Sequence, residues 1–183
     1  MDRKTEVVRK TRETEVRLKL DLDGEGATSV KCEEQFLRHM VETMGRYADF
    51  DLTLEAEGDD VHHLVEDVAI VLGKTLKQCL GEYPIERTAF SMIPMDDALV
   101  QVAVDIIERP YADVDCPDPL YAHFLRSFAM SSGITLHVMV MRGYDQHHIV
   151  EASFKALGKA LRSAVRPRKE ELSTKDRPKV MER

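Results

Sequence analysis

Two nearly identical strings, His62-His63-Leu64-Val65-Glu66 and His147-His148-Ile149-Val150-Glu151, stand 85 residues apart, and nothing else in the chain restricts its fold as much. A single histidine precedes each at a matching distance: His39 lies 23 residues before His62, and His123 lies 24 before His147. The order of elements around them repeats too. From Thr14, TEVRLKLDLDG alternates apolar and polar side chains before Asp23-Gly24, which predicts a strand and a turn. Residues 33–46 have helical spacing, with Phe36, Leu37, Met40 and Met44 on one side, and residues 50–56 alternate like a strand. Residues 61–80 read as a second helix, with Asp59 and Asp60 placed to cap it. The second half replays the series: strand 98–106, helix 120–130, strand 134–141, then helix 146–165 with Asp145 at its start. Residues 81–97 and 107–119 hold five of the seven prolines and read as connections, and 166–183 reads as a polar tail.

A unit of about 84 residues is too long for a solenoid repeat. The expected fold is therefore α/β, with two duplicated halves, residues 1–90 and 91–183. Each half is a small four-stranded sheet with two helices on one face, and the helical faces pack together because each must bury its apolar stripe. With 183 residues there is chain enough for a substantial core.

Charge narrows the function. Lys and Arg number 26 against 33 Asp and Glu, a net charge of −7, which disfavours nucleic-acid partners because phosphate backbones need a basic face. No apolar run approaches the roughly 18 residues of a membrane span, and the charged N-terminus lacks the apolar core of a signal peptide. Cys32, Cys79 and Cys116 are odd in number and widely spaced, which reads as reduced thiols in a cytoplasmic protein.

The histidines carry the chemistry. On a helix, positions three and four apart share a face, so Glu66 stands beside His62 or His63, and Glu151 beside His147 or His148. Adjacent histidines point roughly 100° apart, so one helix cannot readily give both imidazoles to one ion. H-H-x-x-E is then suited to serve two metal sites, one on each side. Two such motifs with His39 and His123 make eight candidate ligands: His39, His62, His63, Glu66, His123, His147, His148 and Glu151. Shared over two ions they provide four donors each, which leaves open positions of the kind a catalytic site keeps. Imidazole with carboxylate suits Mn²⁺, Fe²⁺, Co²⁺ or Zn²⁺ alike. The order of residues is neither the H-E-x-x-H zinc pattern nor the E-x-x-H pattern of di-iron bundles. His137, inside a strand and unmatched in the first half, reads as a packed or hydrogen-bonded histidine.

The segments KTRETEV (10–16), FLRHM (36–40), HHLVEDVAIVLG (62–73), PMDDALVQVAVD (94–105), ERPY (108–111), HFLRSFA (123–129), ITLH (134–137) and HHIVEASFKAL (147–157) resemble the imidazoleglycerol-phosphate dehydratase family nearly end to end. The resemblance implies a hydro-lyase of histidine biosynthesis that converts imidazole glycerol phosphate to imidazole acetol phosphate. It implies two Mn²⁺ per active site, trimers that build a homo-oligomeric 24-mer, and metal sites between subunits. The implied ligands are the same eight residues. The implied mechanism holds the substrate ring between two ions as imidazolate, which expels the hydroxyl on the neighbouring carbon, while Glu13 moves a side-chain proton. Arg87, Arg109, Lys155 and the Ser173-Thr174-Lys175 segment match the family's phosphate-binding positions, where guanidinium forks suit the anion.

The chain also departs from the family. Arg38 replaces an aspartate, Tyr47 a substrate-contacting histidine, Leu64 a threonine, and Glu108 and Asp176 glycines. The loop before His62, GDDVHH, is about three residues short and lacks the family's aspartate beside the histidine pair. Two alternatives follow. One is a divergent paralogue that keeps the metals and the assembly but uses substrate weakly or differently; the other is a metallohydrolase that activates water on the same ions. A metal store without catalysis is a third.

Overall fold

The structure is a computed structural model that describes residues 3–82, 84–170 and 172. Eight strands and four helices follow one another as β1 (Lys4–Lys10), β2 (Thr14–Asp21), β3 (Thr28–Cys32), α1 (Gln35–Ala48), β4 (Asp51–Gly58), α2 (Val61–Leu80), β5 (Thr88–Met95), β6 (Ala98–Ile106), β7 (Tyr111–Val114), α3 (Pro119–Ser132), β8 (Ile134–Arg142) and α4 (Gln146–Ala164). The first sheet has the order β1-β2-β4-β3 and the second β5-β6-β8-β7, so the duplication extends to topology. In each sheet the last-placed strand is parallel to its neighbour and the other pairings are antiparallel. As expected, each half is a four-stranded sheet with two helices on one face, and the helical faces meet: α1 packs on α4 and α2 on α3.

Period-2 burial builds the sheets. In β2, Thr14, Val16, Leu18 and Leu20 point to the core while Glu15, Arg17 and Lys19 face out. β6 does the same with Ala98, Val100, Val102 and Val104. Between the sheets the helices bury Met40, Leu72, Leu76, Phe124, Phe128 and Phe154. Matching glycines let them approach: a Cβ on Gly73 of α2 would lie 2.7 Å from the Phe128 carbonyl oxygen, and one on Gly158 of α4 2.5 Å from that of Met44. These backbone contacts cannot yield as a flexible side chain can, so both crossings require glycine.

Four segments differ from the reading of the sequence. The charged N-terminal run contains β1, and β3 lies in a stretch assigned to no element; β5 and β7 lie in segments read as proline-rich connections. β5 begins at Thr88, so this strand spans the expected 90/91 boundary and the seam between halves falls in the connection before it. The tail begins with ordered contacts: Pro167 bridges Ile85, and Arg168 pairs with Glu86 at 2.7 Å. Among the described residues no helix is long and apolar enough to cross a membrane.

The outward faces of the two sheets differ. On the first, Val8, Arg17, Glu55 and Lys31 form a cross-strand row, closed by a Lys31–Glu55 ion pair of 2.7 Å. The second exposes Phe90, Met92, Met139 and Met141, with Phe90 71% accessible.

Candidate metal centre

The helix N-termini position the histidines. Asp60 caps α2 by accepting the His62 N–H at 2.7 Å, and Asp145 caps α4 by accepting the His147 N–H at 2.8 Å. Each histidine pair therefore opens its helix in a fixed orientation.

Two triads result, and each draws on both halves. His62 and Glu66 of α2 meet His123 of α3, with donor atoms all within 4.8 Å of one another. Here the His123 Nε2 lies 3.4 Å from Glu66 Oε1, and the rings of His62 and His123 stack at 5.1 Å. His147 and Glu151 of α4 meet His39 of α1: Glu151 Oε2 lies 3.3 Å from His39 Nε2 and 3.5 Å from His147 Nε2. The first triad is the tighter, being the only set of three within that 4.8 Å span among the described residues.

His63 and His148 join neither triad. Their rings lie 6.3 and 6.1 Å from those of His62 and His147, as the turn between adjacent helical residues dictates. The His63 Nδ1 lies 3.1 Å from Asp59 and 3.8 Å from Glu13. The His148 Nδ1 lies 2.6 Å from Asp97, and its Nε2 lies 3.3 Å from Asp96. The hydrogen bonds to Asp59 and Asp97 raise both imidazoles above the ordinary histidine range. An aspartate thus does stand beside the first pair despite the short loop: Asp59 supplies it.

Carboxylates on imidazole Nδ1 are a recurrent support for metal-ligating histidines, because they fix the tautomer that leaves Nε2 free. The sequence reading missed Asp59 and Asp97 in this role. The available signal was an acid adjoining each histidine pair in space, which for Asp97 depends on the β5–β6 turn.

Glu151 is buried and also touches Lys155, whose Nζ lies 2.8 Å from Oε1. Burial pushes the Glu151 carboxyl up, but the Lys155 ammonium and His39 outweigh it and hold the group below the ordinary glutamate range. The same ammonium sits over the Tyr47 ring at 5.8 Å. Tyr47 therefore lies on the face that carries the second triad, two helical turns from His39. Lys155, eight residues after His147, thus shares the face of α4 that carries Glu151.

Other predicted residues lie elsewhere. Glu13 is exposed in the β1–β2 turn near His63. Arg87 pairs with Asp105 at 2.8 Å, and its N–H donates to the carbonyl of Ala164. Ala164 ends the helix that His147 opens, about 26 Å away at 1.5 Å per residue. Arg109 is exposed beyond β6, without an ion pair to any described residue, and its carbonyl accepts from Thr135 Oγ1. One chain thus separates its candidate phosphate arginines from its triads. Ser173, Thr174 and Lys175 lie outside the described residues. His137 is half-buried in β8 beside the Tyr111 ring and Asp113, away from both triads. The cysteines are free thiols; burial pushes Cys79 and Cys116 up to about 11, far from thiolate reactivity.

Over residues 32–161 the sequence matches the imidazoleglycerol-phosphate dehydratase family. The chain belongs to that family. Its relatives include imidazoleglycerol-phosphate dehydratases of Acetivibrio thermocellus, 45% identical over 180 residues with 91% of this chain and 92% of the relative covered, and of Kineococcus radiotolerans, 44% identical over 186 residues with 91% and 93% covered. Solved members of the family share the fold. The Pyrococcus furiosus enzyme, solved in complex with (S)-C348, superposes with a TM-score of 0.83 at 36% identity, covering 92% of this chain and 98% of that one. The Staphylococcus aureus enzyme gives 0.80 at 28% identity, covering 90% and 99%.

Proposed function

We propose that this protein is a cytoplasmic hydro-lyase of histidine biosynthesis that converts imidazole glycerol phosphate to imidazole acetol phosphate and water, with two Mn²⁺ per active site. The observation that carries the reading is the pair of two-histidine, one-glutamate triads, each straddling the halves of a chain of this family. The donors fit a divalent cation: His123 Nε2 is buried without a hydrogen-bond partner, which a bound ion would supply. Imidazole with carboxylate suits a borderline metal such as Mn²⁺.

His62, Glu66 and His123 hold one ion, and His39, His147 and Glu151 the other. Each outward histidine, His63 or His148, serves a site in a neighbouring copy, so that every ion gains a fourth protein ligand. The separation of Arg87 and Arg109 from the triads supports the same homo-oligomer, since a second copy is needed to bring arginine to a phosphate held at the site. When bound, the ions supply Lewis acidity that favours the anionic form of the substrate ring.

The residues divide the remaining work. Lys155, beside Glu151, orients the anionic end of the substrate. Glu13 takes the proton from the side-chain carbon next to the one that loses its hydroxyl, and the resulting enol becomes the ketone. The positioned base contributes about 10²–10⁴-fold.

The test is dehydration by protein stripped of metal and refilled with Mn²⁺. Turnover appearing only on refilling is expected; turnover in the stripped protein, or hydrolysis of phosphate in place of dehydration, overturns the reading. Tyr47 against Lys155 favours altered substrate use as the second reading, which predicts a lowered KM in Tyr47→His.

A further inference from the structure

Glu13 sits at the tip of a short turn with its side chain largely in solvent, yet a base must stand within about 3 Å of the proton it takes. Something must hold the turn at a fixed height over α2. Within the turn, Thr11 Oγ1 accepts the N–H of Glu13 at 3.1 Å and that of Thr14 at 2.9 Å, and the Asp59 N–H donates to the Glu13 carbonyl at 3.0 Å. These bonds set its shape. Its anchorage to the helix is Asp67, one residue after Glu66, four after His63, and 7% exposed.

Asp67 Oδ2 accepts from Thr14 Oγ1 and, at 3.0 Å, from the Arg9 guanidinium. Arg9 lies four residues before Glu13 and Thr14 one after, so a single carboxylate oxygen gathers both sides of the turn. A carboxylate only accepts, which orders the hydroxyls behind it. Thr14 spends its proton on Asp67, so in the 3.1 Å contact between the two threonine hydroxyls Thr11 is the donor, its proton shared with the Thr14 carbonyl at 3.4 Å. Thr11 is left with lone pairs for the Glu13 N–H. The chain of bonds therefore runs from a buried acid on the ligand helix to the backbone of the base.

The duplication offers a control within the molecule. The position equivalent to Asp67 is Ala152, fully buried, and the equivalent turn in the second half presents Asp96 and Asp97 directly to His148. A buried acid on the ligand helix holds the turn only in the half that carries Glu13; in the other, Asp97 on the turn itself accepts the Tyr144 and Asp145 N–H groups just before α4.

We infer that Asp67, acting through Thr14 and Arg9, is a positioning residue that sets the place of Glu13 over the ligand helix; the inference rests on the role proposed above for Glu13. The experiment is steady-state dehydration by Mn²⁺-loaded Glu13→Gln, Asp67→Asn, Thr14→Val and Thr14→Ser proteins, with bound Mn²⁺ and thermal transition measured for each. Thr14→Val is expected to lower kcat about 10- to 100-fold, the scale of a misplacement near 1 Å, with KM, metal content and Tm close to wild type. Thr14→Ser, which restores the donor, recovers most of the rate, and Asp67→Asn falls at least as far as Thr14→Val. A normal kcat in Thr14→Val, no recovery in Thr14→Ser, or a rate that falls only in step with metal content and Tm overturns the inference. If Asp67→Asn does not fold, the two Thr14 variants decide. Glu13→Gln separates the two levels: an active Glu13→Gln protein removes the base assignment itself, whereas an inactive one beside a normal Thr14→Val removes only the positioning role.

Discussion

In the first half the outward histidine, His63, faces Asp59 and Glu13; in the second its counterpart, His148, faces Asp97 and Asp96. The triads beside them show a similar divergence on a shared plan. Glu151 is buried and neutralised by Lys155, while Glu66 is more open and the position equivalent to Lys155 is Ile70. The two halves share the histidine–glutamate pattern and differ in the atoms around it. The first half sets an exposed acid, Glu13, beside its outward histidine, and the second sets a cation, Lys155, beside its glutamate. One pseudo-symmetric frame thus carries two different electrostatic surroundings.

The ligand symmetry is the part most easily broken. Glu66→Ala and Glu151→Ala should each lose one Mn²⁺ per chain and essentially all turnover, measured by metal analysis and dehydration rate; full occupancy after either change refutes the equivalence of the triads. The divergence shows at the hairpins. Glu13→Gln should cost about 10²–10⁴-fold in kcat with metal retained. Asp97→Asn should instead weaken Mn²⁺ about 10- to 100-fold, because it frees the His148 ring, with the rate recovered at saturating metal. Calorimetric Mn²⁺ titration of both variants checks this division, which fails if the two behave alike.

The outward sheet faces give the next test. In the proposed homo-oligomer the apolar outer face of the second sheet is the surface a further copy would cover, so Phe90→Glu should shift the assembly to smaller species by ultracentrifugation, because covering that exposed ring would contribute roughly 2 kcal/mol. Val8→Glu, on the charged first sheet, should not. The smallest effect is at the helix ends. Both α1 and α3 stop in left-handed geometry, at Asp49 (φ 56°) and Gly133 (φ 75°). Gly133→Ala costs about 1 kcal/mol from backbone strain, near 2–4 °C in Tm, because its Cβ would meet nothing closer than 3.5 Å. Asp49→Gly is nearly neutral, since the strain relieved is offset by the lost ion pair with Arg162.

What could be read from the sequence follows from position in the sheets. The central strands β2, β4, β6 and β8 were recognisable because one face is fully buried and alternation is clean. The strands not recognised, β1, β3, β5 and β7, are the four edges. β7 has only four residues, β5 carries Pro94, which an edge tolerates, and β1 interleaves Glu6, Arg9 and lysines with its valines. Helices α2 and α4 were bounded closely because Asp60 and Asp145 cap them. The glutamates that stand beside each histidine pair, Glu66 and Glu151, were readable from spacing along one helix. Their partnership was not: that His123 completes the α2 set and His39 the α4 set depends on which helices cross, and the local periodicity of a helix carries no record of that.

That crossing has a bearing on descent. Cut at the seam before β5, either half would retain the folding pattern of a sheet with two helices but only part of each histidine–glutamate triad, its forerunner histidine parted from the glutamate it now faces. A free half recovers a whole set only by docking face to face with another. The present chain is in this sense a two-fold dimer with its axis made covalent, in which the two halves need not be identical.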